Sequence, residues 1–87
     1  MKYEKDFREV LELITASDIT DILFKNLDKI VELAEDRFME GYKTYGTSSF
    51  KKSEKTLRKE IMEEFADIFA WLAIYYIKIG KLPLKLK

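Results

Sequence analysis

Residues 57–79 repeat apolar side chains at steps of three and four: Leu57, Ile61, Phe65, Ile68, Phe69, Leu72, Tyr75, Tyr76 and Ile79. That spacing describes one face of an α-helix, because a helix turns about 100° per residue whereas a strand alternates its faces. Gly80 permits the backbone turn that stops such a helix, Lys78 suits its negative end, and Pro83 forbids its resumption. At the other end Ser53 is the best cap, with Glu54 in the first turn. A helix this long with one apolar stripe needs other helices to cover it.

Beside the stripe runs a second line, Glu60, Glu64, Asp67 and Trp71, at i, i+4, i+7 and i+11. These four project within roughly 60° of one another. Three acids share one line with no Lys or Arg in it, and like charges at i, i+4 cost about 0.2–0.5 kcal/mol per pair. A divalent cation is the simplest compensation.

Upstream, the same periodicity predicts a short helix over Tyr3–Ile14, with Phe7, Val10, Leu11 and Ile14 inward. A long one follows over Ile19–Tyr42, with Ile19, Ile22, Leu23, Leu27, Ile30, Val31, Ala34 and Phe38 inward. Ser17 or Asp18 can cap the second helix, and Asn26 is its weak point, where a kink is expected. Gly41 and Gly46 bracket its end, and the segment from Gly46 to Lys52 reads as a loop. The second helix repeats the acid pattern as Asp28, Glu32, Glu35 and Met39. The expected fold is therefore all-α: a single-domain bundle of one short and two long antiparallel helices.

The 87 residues are 47% hydrophobic and 14% aromatic, generous for a chain too short to bury a large core alone. Completion of the core by oligomerisation is the expectation. The absence of cysteine and histidine excludes a disulfide, a thiolate metal site, a cysteine nucleophile and the commonest general base. Any metal must be held by oxygen, which favours magnesium or manganese. Net charge is zero but uneven. Residues 1–46 carry 7 basic and 11 acidic residues, residues 47–87 carry 9 basic and 5 acidic. No signal peptide precedes the first charged helix, and the uncharged run Ile68–Ile77 is half the roughly 20 residues of a membrane span. A soluble, cytoplasmic protein with no membrane partner is expected.

With the two long helices antiparallel, their acid lines would face each other across a groove. Asp28, Glu32, Glu35, Glu60, Glu64 and Asp67 would then be available to a metal, and a metal-polarised water is the most plausible nucleophile in such a chain. A neighbouring carboxylate could take its proton. Lys51, Lys52, Arg58 and Lys59 could meet phosphate charge, and Phe50, Tyr42, Tyr45 and Trp71 could stack on a base. Plainer roles compete with these. Helix-surface acids are often a solvated face, Trp71 is more often core or interface, and lysines near residue 51 are more often solubilising.

The segment Glu63-Glu64-Phe65-Ala66-Asp67-Ile68-Phe69-Ala70-Trp71-Leu72 resembles the second metal motif of the MazG-type all-α nucleoside triphosphate pyrophosphohydrolases, Glu-x-x-Asp preceded by another Glu. Glu32-Leu33-Ala34-Glu35 is similar to their first motif, Glu-x-x-Glu. The apolar helix leading to Ile79-Gly80-Lys81-Leu82-Pro83-Leu84 and the loop Gly41-Tyr42-Lys43-Thr44-Tyr45-Gly46 with Ser49-Phe50 also look like the small phage and archaeal members. The resemblance covers about residues 27–84. It implies a helical bundle, usually a homodimer or homotetramer, and cleavage of a nucleoside triphosphate to monophosphate and pyrophosphate with magnesium or manganese. Carried over, Glu32, Glu35, Glu64 and Asp67 would hold metal, with Glu35 and Glu64 the candidate catalytic residues. Glu63 matches the extra Glu but lies just outside the acid line. Val31 stands where many members have another acid, and many members carry a further nucleotide-contacting helix beyond the second motif. Here a partner subunit would supply those contacts, or activity is lost.

The competing expectation is a non-catalytic helical module that oligomerises or binds a protein, supported by the surplus of apolar residues. Nucleic-acid binding through Lys51–Lys59 and the basic tail is disfavoured by the zero net charge and the lack of a recognition motif.

Overall fold

The computed structural model describes residues 4–86. They form three α-helices, α1 (Glu4–Leu13), α2 (Ala16–Tyr45) and α3 (Glu54–Ile79), with a turn of 3-10 helix at Ser48–Lys51 between the two long ones. Among these residues there is no strand, and the fold is a small all-α bundle of one short and two long helices, as the periodicity predicts. Tyr3, expected at the start of α1, lies outside the described residues.

The helix ends follow local chemistry. Thr15, not Ser17 or Asp18, caps α2. Its hydroxyl accepts from the Asp18 N–H at 3.1 Å, and the Asp18 carboxylate accepts from the Thr15 N–H at 2.9 Å. Asp18 is thus the third residue of a reciprocal capping box, which satisfies two otherwise unpaired amide hydrogens. Ser53 caps α3 as expected, its hydroxyl accepting from the Thr56 N–H at 3.1 Å. At the far end of α2 the helix runs through Gly41 and stops at Gly46, whose φ of 62° favours glycine. Gly80 ends α3 at φ 93°, its N–H donating to the Tyr76 carbonyl at 2.7 Å.

The core gathers at one end. Val10 of α1, Ile22 of α2, and Leu72 and Ala73 of α3 are buried there, and α1 lies against α3. Phe7, Leu11, Ile14, Ile19, Ile30, Phe69, Tyr76 and Ile77 are partly buried around them. The tail after Gly80 returns to this end, and Pro83 is buried.

Asn26, expected as a weak point, is instead a buried anchor in an uninterrupted helix. Its side-chain amide donates to the Leu84 carbonyl at 2.9 Å and to the Ile22 carbonyl at 2.7 Å, and its oxygen accepts from the Leu86 N–H at 2.9 Å. A buried amide is costly unless paired. Here one side chain pairs with a passing backbone on both its donor and acceptor sides, as a neighbouring strand would.

The rest of the molecule is open. From Val31 to Ile68 every residue is exposed except Gly41. Leu23, Leu27, Val31, Ala34 and Phe38 of the expected α2 core are exposed, as are Leu57, Ile61, Phe65, Ile68, Tyr75 and Ile79 of α3, so exposure of the expected core reaches beyond that stretch on both helices. Only the part of each helix that meets α1 and the tail is covered, and on α3 the covered face is turned toward Phe69, Ala73 and Tyr76. The accessible surface is 7841 Å², against roughly 5,400 Å² for a compact monomer of this mass. The radius of gyration, 15.6 Å, likewise exceeds the roughly 12 Å of a compact domain of this length.

Candidate functional site

The candidate metal ligands all lie in the open half. Glu32 and Glu35 occupy one turn of α2, Glu64 and Asp67 one turn of α3, and all four are exposed. By the rotation of about 100° per residue, each pair sits on the side of its helix away from the closed-end core. Within one chain the two pairs are not gathered. Among the described residues no group of three or more acids comes close enough together to hold a metal ion. The expectation that the two acid lines face each other across a groove inside one chain is corrected accordingly: α1 and the tail, not α2, occupy the covered face of α3 beside Leu72 and Ala73.

Charge compensation divides the acids into two sets. Glu60 receives Lys52 at 3.2 Å, Glu54 receives Arg58 at 2.7 Å, Glu63 receives Lys59 at 3.9 Å, and Glu32 receives Lys29 at 3.6 Å. Glu35, Glu64 and Asp67 join no ion pair among the described residues, and neither do Asp28, Asp36 and Glu40 on α2. The donor chemistry there fits a hard cation: carboxylate oxygens, in water, with no nitrogen or sulfur competitor. Glu64 also rims a shallow apolar groove of about 300 Å³ along Ile61, Phe65 and Ile68.

The basic and aromatic candidates are mostly engaged. Lys52, Arg58 and Lys59 hold the acids just named, while Lys51 is exposed on the 3-10 turn. Phe50 folds back onto α2 and meets Phe38 edge-on, ring centres 5.9 Å apart, and the Tyr42 ring lies 6.3 Å from that of Phe38. These rings pin the α2–α3 connection to α2. Trp71 is 71% exposed, directly after the acid line on α3.

Two features escaped the sequence reading. One is Asn26. Its signal was present: an amide placed four residues from both Ile22 and Ile30, in line with the apolar stripe. The other is the tail, which with α3 forms a second and larger groove, of about 460 Å³, between Trp71 and Tyr75 on one side and Pro83 and Leu86 on the other. No helix among the described residues is long and apolar enough to cross a membrane. No known protein family matches the chain, and neither the curated proteins nor the solved structures contain a significant match.

Proposed function

We propose that the protein hydrolyses a nucleoside triphosphate to the monophosphate and pyrophosphate in a metal-dependent reaction, and that it does so as a homodimer or higher homo-oligomer. The observation that carries this reading is the pairing, in the open half, of uncompensated acids with uncovered apolar surface. Glu35, Glu64 and Asp67 have no cation among the described residues, and they flank the exposed stripes of α2 and α3. The surface beyond that of a compact monomer, roughly 2,400 Å² per chain by the comparison above, is the scale on which obligate homodimers bury surface.

Glu32, Glu35, Glu64 and Asp67 would hold magnesium or manganese, which would supply a polarised water and neutralise phosphate charge. Cover by a second copy would exclude water from the apolar stripes and draw the acid pairs of the two helices toward one volume. Lys51 joins no ion pair among the described residues and could meet a phosphate, whereas Lys52, Arg58 and Lys59 would have to exchange a carboxylate for one.

The test is pyrophosphate release from a panel of ribo- and deoxynucleoside triphosphates with magnesium or manganese, for the wild type and Glu64→Gln. Release by the wild type and its loss in Glu64→Gln, with helicity retained, is the expected result. Equal turnover in both would overturn the site. The second reading, a non-catalytic oligomerising module, draws on the dispersal of the acids within one chain, and release from no nucleotide by a folded, assembled protein would favour it.

A further inference from the structure

Two shallow apolar grooves lie along α3, to either side of Trp71. The first, of about 300 Å³, runs beside Ile61, Phe65 and Ile68, and Glu64 rims it. The second, of about 460 Å³, lies between Tyr75 and Ile79 on the helix and Pro83 and Leu86 of the tail, and Lys78 rims it. The tail has no secondary structure of its own. Asn26 holds it as a wall through the Leu84 carbonyl and the Leu86 N–H. Both grooves belong to the one exposed stripe of α3, so a single occupant should cover both.

Charge selects the occupant. Residues 60–67 carry Glu60, Glu63, Glu64 and Asp67 and no base, whereas residues 68–87 carry Lys78, Lys81, Lys85 and Lys87 and no acid. Glu60 and Glu63 have cations within the chain, but Glu64 and Lys78 join no ion pair among the described residues. Glu64, Trp71 and Lys78 stand seven residues apart, nearly on one line of the helix and about 10 Å from one to the next along its axis. A surface with this polarity is complementary to itself turned end for end. A second copy, antiparallel about a two-fold axis at Trp71, sets Glu64 of each chain level with Lys78 of the other. It also brings Phe65 and Ile68 of each chain to the tail groove of the other. A parallel copy would oppose acid to acid, and a partner of one charge sign would match only one of the two grooves. The accessible surface of 7841 Å² exceeds that of a compact monomer by roughly 2,400 Å², enough for such a contact. We infer that α3 is the seam of an isologous dimer, antiparallel about Trp71, with Phe65 and Ile68 of each copy seated in the α3–tail groove of the other. The inference rests on the homo-oligomer part of the reading above and not on its chemistry. A carboxylate has two oxygens, so Glu64 bonded to Lys78 through one keeps the other for a metal.

Trp71 is the chain's one tryptophan and is 71% exposed in the single chain, so its emission reports the seam without any turnover. With neither nucleotide nor metal present, that emission should move to shorter wavelength as rising protein concentration drives assembly. Lys78→Glu and Glu64→Lys should each weaken association by about tenfold or more in sedimentation equilibrium, because like charges then meet twice across the axis. Both side chains are exposed, and an unchanged far-UV circular dichroism spectrum would show that the variants fold. The double exchange, Glu64→Lys with Lys78→Glu, should restore association. An assembled wild type whose Trp71 emission stays at long wavelength would overturn the seam and leave the oligomer. So would a double exchange that assembles no better than the single variants. A wild type that stays monomeric would overturn both, and an emission shift seen only with vesicles of anionic phospholipid would assign the stripe to a lipid surface instead. Assembly with charge-exchange rescue, but without hydrolysis of any nucleoside triphosphate, would sustain the seam and sink the hydrolase reading.

Discussion

The two ends of this molecule are built from the same kind of helix and are finished to different degrees. At the closed end, α1, the start of α2, the end of α3 and the tail converge on Val10, Ile22, Leu72 and Ala73, and even a buried amide has all its partners. In the open half the same two long helices continue for ten or more residues with their apolar stripes uncovered. Helix formation is therefore not what separates them. The closed end has third and fourth elements to cover its stripes, and the open half has none among the described residues. The candidate ligands belong to the half that lacks cover, so chemistry and assembly are expected to depend on one surface.

The largest effect should come from breaking that surface. Phe65→Glu puts a charge in the exposed α3 stripe, where solvent tolerates it in a single chain. In an interface with two-fold symmetry the charge appears twice and unpaired, at a cost of several kcal/mol. Sedimentation equilibrium should report an oligomer for the wild type and a monomer for the variant, with pyrophosphate release lost alongside. A wild type that stays monomeric at micromolar concentration would mean that the exposed stripes do not drive assembly.

Next in size is a change in the finished half. Leu72→Ala removes one of the few well-buried side chains, and truncations of this kind cost about 2–5 kcal/mol. Domains of this class have only about 5–15 kcal/mol in total, so denaturant unfolding should move to much lower concentration. Leu57→Ala makes the same chemical change where the side chain is 41% exposed. Its cost should be small when the protein is dilute and should grow with protein concentration, because only assembly buries it. Equal, concentration-independent losses at both positions would mean that the open half is packed in the isolated chain after all.

Most of what can be read locally was legible in the sequence. Ser53 and Gly80 bound α3 where side-chain and backbone chemistry predict, and the acid lines occupy consecutive turns as their spacing requires. What was not legible depends on partners distant in sequence. Periodicity identifies an apolar face but not the element that covers it, so Ile61 and Leu72 read alike although one is exposed and the other buried. Asn26 reads as a propensity defect because its partners, Leu84 and Leu86, lie about sixty residues away. Gly41 and Gly46 offer the same freedom, and α2 stops only at the second, where the Gly46 N–H reaches the Tyr42 carbonyl at 2.8 Å. The two-pair metal site was read on the premise that α2 and α3 cover each other, and that premise belongs to tertiary structure.

The smallest effect separates the halves most cleanly, because it uses one kind of change at matched positions. Thr15 caps α2 at the closed end and Ser53 caps α3 in the open half. Both hydroxyls accept an amide hydrogen at 3.1 Å. Loss of such a cap costs about 0.5–2 kcal/mol. If the closed end is the part whose unfolding is global, Thr15→Ala should lower Tm by several degrees, since about 1 kcal/mol corresponds to roughly 4–8 °C in a domain of this size. Ser53→Ala should leave the Tm of the dilute protein nearly unchanged and instead speed hydrogen exchange over the first turns of α3, because fraying there exposes nothing that was buried. Conditions that assemble the protein should convert the Ser53 effect into a Tm loss as well, as the second copy makes the open half part of the cooperative unit. A Ser53→Ala loss equal to that of Thr15→Ala in the dilute protein would show that the two halves already unfold as one.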